Sequence, residues 1–139
     1  GIQTTPHNPD GKALRNTLYV LDYGKLTILH LGKVNYVPSQ SLIEELGNIN
    51  IALVPVGDGG ALNASKAAEV ISMLEPNIVI PMHYETPYSK LELDPLSKFL
   101  KEMGITSLET MESYKLASNI AFPEEETHVI ALDPKLTSL

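Results

Sequence analysis

The sequence predicts an α/β fold, a mixed sheet flanked by helices, formed by residues 1–139 as a single domain. Three observations carry that expectation. The runs Asn50–Val56 and Ile78–Pro81 are short, continuously apolar and rich in β-branched residues, as strands buried on both faces are. Between them Ala64, Ala67, Ala68, Ile71 and Leu74 recur at the helical period, so strand, helix and strand form a βαβ unit with parallel strands and a right-handed crossover. Ahead of that unit, two strand-like runs are separated only by Tyr23-Gly24-Lys25, the signature of an antiparallel hairpin, which makes the sheet mixed.

Taken in order, residues 1–15 are polar and turn-rich, with Pro6, Pro9, Asp10 and Gly11, and read as a loop that contains His7. Asn16–Tyr23 and Leu26–Leu31 are the hairpin strands, the second running into Gly32-Lys33-Val34-Asn35-Tyr36. Pro38 to Ser41 opens a helix. Ser41 and Glu44 have capping-box spacing, and Gly47 suits the left-handed position that ends it. Asn63 is placed to cap the alanine-rich helix, and Pro76 closes it. The next strand is expected to stop at Pro81 and to deliver His83 just past its end. A further helix begins with Asp94 as cap and Pro95 in the first helical position, buries Leu96, Phe99, Leu100 and Met103, and ends at Gly104. One short strand is expected within Ile105–Leu116, and a last strand, His128–Leu132, follows the acidic turn Pro123–Glu126.

Composition narrows the function classes. A net charge of −7, with ten Lys and Arg thinly spread, argues against a nucleic-acid partner. There is no cysteine, so disulfides and thiolate metal sites are excluded, and a transition metal would need histidine and carboxylate ligands. No apolar run approaches the ~20 residues of a membrane-spanning helix and no signal peptide is visible, so no membrane association and a cytoplasmic location are expected. The chain begins with Gly1 rather than Met, so residues are expected upstream.

Three strands end in polar or glycine-rich loops: Leu31-Gly32-Lys33, Gly57-Asp58-Gly59-Gly60 and Met82-His83-Tyr84. In a parallel arrangement these loops meet on one edge of the sheet, where open α/β folds bind ligands. A glycine-rich turn ahead of a helix offers backbone N–H groups to an anion, which makes Gly57, Gly59 and Gly60 anion-site candidates. The structural reading of the same turn, a tight connection into a capped helix, is the favoured one, because Leu62 stands where a dinucleotide motif needs glycine and no G-K-[ST] follows. His30 and His128 read as structural or surface residues, and there is no G-x-S-x-G elbow for a serine nucleophile.

The blocks Asn16–Val20, Leu29-His30-Leu31-Gly32, Leu53–Gly57, Ala67-Ala68-Glu69 and Ile78–Tyr84, with the late turn Phe122–Thr127, are similar in order and spacing to the C-terminal half of the metallo-β-lactamase-fold zinc hydrolases. The resemblance implies half of an αββα sandwich. It implies zinc as the cofactor, with His7 and His83 at two of the metal-ligand positions. It also marks two substitutions. Lys33 stands in the place of the metal-bridging aspartate, and Tyr36 in the place of a further histidine. The H-x-H-x-D-H signature is not among these 139 residues. A lysine ammonium replacing a bridging carboxylate disfavours a two-zinc site, and two neutral imidazoles are too few to hold catalytic zinc tightly. Three readings follow: a degenerate or truncated member without metal-dependent hydrolysis, part of an active hydrolase completed by other residues or a partner, and a small-anion-binding α/β module. A half-sandwich would leave an apolar sheet face to be covered, so a homo-oligomer or pairing with a missing N-terminal half is expected.

Overall fold

The structure, a computed structural model, describes residues 1–4, 16–106, 108–115 and 127–134. His7, Asp10 and the turn at Phe122–Glu126 lie outside the described residues. The elements in chain order are β1 (Ile2–Thr4), β2 (Asn16–Asp22), β3 (Thr27–His30), α1 (Gln40–Leu46), β4 (Ile51–Pro55), α2 (Ala64–Leu74), β5 (Ile78–Met82), α3 (Leu96–Glu102), β6 (Glu109–Met111) and β7 (His128–Leu132). The strands form a mixed sheet in the order β1-β2-β3-β4-β5-β7-β6.

The hairpin of β2 and β3 is antiparallel, pairing Tyr19 with His30 and Asp22 with Thr27. Its turn is closed by the Tyr23 N–H donating to the Leu26 carbonyl at 2.8 Å, while the Asp22 carboxylate accepts from the Gly24 N–H at 3.0 Å. From β3 onward the sheet is parallel: β3 with β4, β4 with β5, β5 with β7 and β7 with β6. Ile2–Thr4, read from sequence as loop, instead adds an antiparallel edge strand to β2. Three residues carry too short a pattern to announce a strand.

Three local expectations are corrected. Ser39, not Ser41, caps α1: its Oγ accepts from the Leu42 N–H at 3.2 Å, so the helix starts too early for Glu44 to complete a capping box. Asp94 does not cap α3. Pro95 occupies the cap position with extended backbone and no side-chain cap bond, because the Asp94 N–H and carbonyl are already bonded to Gly57 and Glu85. The Asp94 carboxylate pairs with Lys98 at 3.2 Å. Strand β5 passes through Pro81 to Met82. The Met82 carbonyl accepts from Val56 on the β4 side, so the Pro81 nitrogen faces the β7 side, beyond the last paired residues there, and its missing N–H costs the ladder nothing.

Alternation along the strands sorts side chains between two faces. Leu18, Leu29, Ala52, Val54, Val79 and Val129 meet α1, α2 and α3 through Ile43, Ala67, Val70, Ile71, Leu74 and Phe99, forming the principal core. The Asn63 side chain caps α2 by accepting from the Lys66 N–H at 2.9 Å, which fixes where that apolar stripe begins. On the opposite face Ile51, Ile78, Ile80 and Ile130 form a second cluster with Ile28, Leu53, Met111 and Leu132 around it. Continuing that face across the hairpin by register, Tyr19 and Leu21 are 54% and 45% exposed. Among the described residues no helix is long and apolar enough to cross a membrane.

Phe99 is fully buried where α3 joins the principal core. Phe99→Ala is expected to cost about 3–5 kcal/mol, read as a lower urea midpoint at unchanged slope in equilibrium unfolding.

Candidate functional site

Register alone brings three strand ends together. Ile28, Ile51 and Ile78 stand in one row across β3, β4 and β5, so the loops after these strands emerge side by side. Further bonds hold the alignment at the exit: the Leu31 N–H donates to Leu53 and the Val56 N–H to Met82, each at 3.1 Å.

The first loop carries Lys33. Asn16 clamps it from β2, its Nδ2 donating to the Leu31 carbonyl and its Oδ1 accepting from the Lys33 N–H, both at 2.9 Å. The Gly32 N–H donates to His30 Nδ1 at 3.0 Å, so His30 serves the loop's shape. The Lys33 backbone is thereby fixed while its side chain stays exposed. Its Cε and Nζ lie against the second loop: a methyl group on Gly60 would sit 3.3 Å from both.

The second loop is a left-handed turn. Asp58, Gly59 and Gly60 all have positive φ, at 61°, 58° and 86°. The Asp58 N–H donates to Leu62 at 2.9 Å and the Ala61 N–H to Asp58 at 3.1 Å, closing the turn just ahead of α2. Gly57 is required by close approach. Any side chain there would collide with the His83 carbonyl and with Tyr84 Cα.

The third loop begins at His83, whose φ of 54° is left-handed, uncommon for a residue with a side chain. Its Nε2 is buried and has no hydrogen-bond partner. A methyl group on Gly59 would lie 3.4 Å from that nitrogen. Leu93 packs on the same glycine, and the loop is drawn back by Glu85 donating to Asp94 at 3.0 Å and Asp94 donating to Gly57 at 2.9 Å. An unpaired ring nitrogen shut off from water costs on the order of 1–3 kcal/mol, so this position is built at a loss unless something binds it.

The structure therefore brings Lys33, Gly57, Gly59, Gly60 and His83 to one edge. Tyr36 is half-buried and packs against the principal core. His128 opens β7 opposite Ile78, at the other end of the strands from the site. Asn16 and Leu93 were invisible as site residues in the sequence, because both reach the site through contacts between distant segments. Beside His83, on the second sheet face, a cavity of about 270 Å³ is lined by Leu53, Ile80, Met82, Tyr84 and Leu132. The Tyr84 hydroxyl reaches the Leu132 carbonyl at 3.5 Å, and burial first, then the Asp133 carboxylate, push its pKa above the ordinary value of 10.0.

The β-lactamase superfamily domain matches residues 1–83, ending on the histidine of the third loop. The chain belongs to the β-lactamase superfamily. A metal-dependent hydrolase of the UPF0173 group from Desulforamulus reducens is 31% identical over 96 residues, covering 68% of this chain and 42% of that protein. Its counterpart from Hyperthermus butylicus is 39% identical over 88 residues, covering 62% and 38%. A crystal structure from Thermotoga maritima, described as that of a candidate Zn-dependent hydrolase of the metallo-β-lactamase superfamily, superposes with a TM-score of 0.74 at 31% identity, covering 96% of this chain and 64% of that one. The mixed sheet with its helices on one face is thus the superfamily's fold. The chain spans about two fifths of the length of the two curated relatives.

The superfamily implies a metal. His83 Nε2, buried and unpaired, is a suitable donor, but the described residues bring no three His, Asp or Glu side chains together around it, and the Lys33 ammonium lies against Gly60, next in the chain to the glycine that meets His83. Among the described residues this donor set is smaller than the three protein ligands of a catalytic zinc site.

Because the folded-state pKa of Tyr84 is raised, its contribution to stability is fully present below the unfolded value near 10 and is lost as pH rises through the folded value. Absorbance at 295 nm should show an ionisation step above the ordinary tyrosine value that is missing from Tyr84→Phe.

Proposed function

We propose that this chain is a hydrolase-like domain of the β-lactamase superfamily whose metal site is degenerate, without metal-dependent hydrolysis from its own residues. The observation that supports this most is Lys33, exposed at the site edge and laid against Gly60. At ~4 Å and an effective dielectric near 20, each pair of unit charges interacts by about 4 kcal/mol, so exchanging a carboxylate for an ammonium beside a divalent ion reverses a large term. Solvent screening at an exposed lysine reduces the magnitude and leaves the sign. Incubation of the full chain with zinc, followed by desalting and elemental analysis, is expected to leave well below one zinc per chain. Stoichiometric zinc that disappears in His83→Ala would overturn the proposal.

One observation favours a second reading. The unpaired His83 Nε2 is what a ligand position looks like when its companions come from elsewhere, and the curated relatives are more than twice as long as the matched segment. On that reading the chain is part of a zinc-dependent hydrolase completed by other residues, His7 among them, or by a partner.

The second sheet face supports a partner in either case. Tyr19 and Leu21 extend the Ile51, Ile78 and Ile80 cluster outward and are about half exposed. We infer that this face is covered by a second copy or by a further segment of the kind the longer relatives carry. Light scattering coupled to gel filtration should give a mass of twice the 15.2 kDa chain or more, and a monodisperse monomer at micromolar concentration would count against it.

A further inference from the structure

We infer that the edge formed by Lys33, Gly59, Gly60 and His83 is a site for a phosphate-type oxyanion, held by the lysine ammonium. The inference rests on the degenerate-site proposal and gives that site a ligand class. Three separate observations converge on it. The Lys33 ammonium has no carboxylate partner among the described residues, although the chain holds 17 acidic residues against ten Lys and Arg. Its stem is aimed by a fixed backbone, through Asn16, and both Cε and Nζ lie against Gly60. A free surface lysine has neither constraint.

The second observation is the turn itself. Of its backbone donors, the Asp58 and Ala61 N–H groups close the turn, while no acceptor among the described residues takes the N–H of Gly59 or Gly60. Unpaired consecutive N–H groups beside an ammonium suit an acceptor with several oxygens. The third is His83, whose buried Nε2 lies against Gly59, the other glycine of the turn, and lacks a partner. As the Nε2–H tautomer it donates to an oxyanion, and as the other it accepts from a phosphate hydroxyl. Asp58 is the acid closest in sequence, and it forms no ion pair with Lys33. A tetrahedral anion has three or four oxygens to offer these groups, whereas a carboxylate has only two. The adjoining cavity is lined chiefly by apolar side chains, so a phosphate monoester with an apolar ester group has a place for that group.

The test is an amide and imidazole NMR titration of the full chain at pH 7 and constant ionic strength, with inorganic phosphate in one arm and phenyl phosphate in the other. Saturable shifts at Gly59, Gly60 and the His83 ring are expected, with affinity reduced at least tenfold in Lys33→Met. Tighter binding of phenyl phosphate assigns the site to a monoester, and equal binding assigns it to free phosphate. Lys33 is exposed, so the variant is expected to keep its amide spectrum elsewhere. Absence of saturation, an unchanged affinity in Lys33→Met, or equal saturation by acetate would overturn the inference. The zinc assay separates the two claims: stoichiometric zinc on His83 defeats the degenerate-site proposal, while no zinc and no phosphate defeats the oxyanion site alone.

Discussion

The alignment of β3, β4 and β5 is the constraint from which the rest follows. At their amino ends, Asn50 accepts from the Thr27 N–H through Oδ1 at 2.9 Å, donates its own N–H to the Thr27 carbonyl at 3.0 Å, and donates through Nδ2 to Asn77 at 3.1 Å. The Ile78 N–H returns to the Asn50 carbonyl at 2.9 Å, and the His128 N–H joins Asn77 at the same length. A one-residue slip in any of these strands would break this polar row and also move the isoleucines of the second face into the helix-facing core. The same register brings Lys33, Gly60 and His83 together at the far ends of the strands, so one asparagine row fixes both the packing and the site.

The site in turn depends on backbone approach. Gly57 admits the His83 carbonyl and Tyr84 Cα where any Cβ would stand, and Asp94 bonds the Gly57 carbonyl from the returning loop. His83 adopts a left-handed φ inside this arrangement. Strained backbone at a residue that also leaves a buried nitrogen unpaired is retained only where the surroundings over-determine it. Here three packed loops do so, which separates the position of His83 from the question of what it binds.

Much of this was legible in the sequence, for identifiable reasons. Long-period signals survived: the apolar runs of β4 and β5, the α2 stripe from Ala64 to Leu74 and its Asn63 cap are local patterns with local causes. What failed were choices between neighbouring caps. Ser39 and Ser41 are chemically equivalent, and only the path of the chain after Pro38 decides between them. Asp94 was displaced from capping α3 because its backbone is bonded to Gly57 and Glu85, contacts of which a one-dimensional pattern holds no trace. Within the site, the convergence of Lys33, the glycines and His83 followed from parallel strand ends, while the clamp from Asn16 and the cover from Leu93 did not, since each joins segments far apart in the chain. His7 lies outside the described residues.

Lys33 carries more meaning because of how well its loop is supported. The Gly32 bond to His30 and the Asn16 clamp hold the loop in a defined shape, and Tyr36 fills a place in the principal core. A decaying loop would be expected to lose such support along with its ligands. Instead a well-held backbone presents an ammonium, against a turn in which the Gly59 and Gly60 N–H groups are unpaired among the described residues. On the proposed reading, reversing the charge at one fixed point would convert a pocket suited to a cation into one suited to an anion without moving a strand. In a fold whose functions reside in side chains grafted on strand ends, that is a short route to a different ligand.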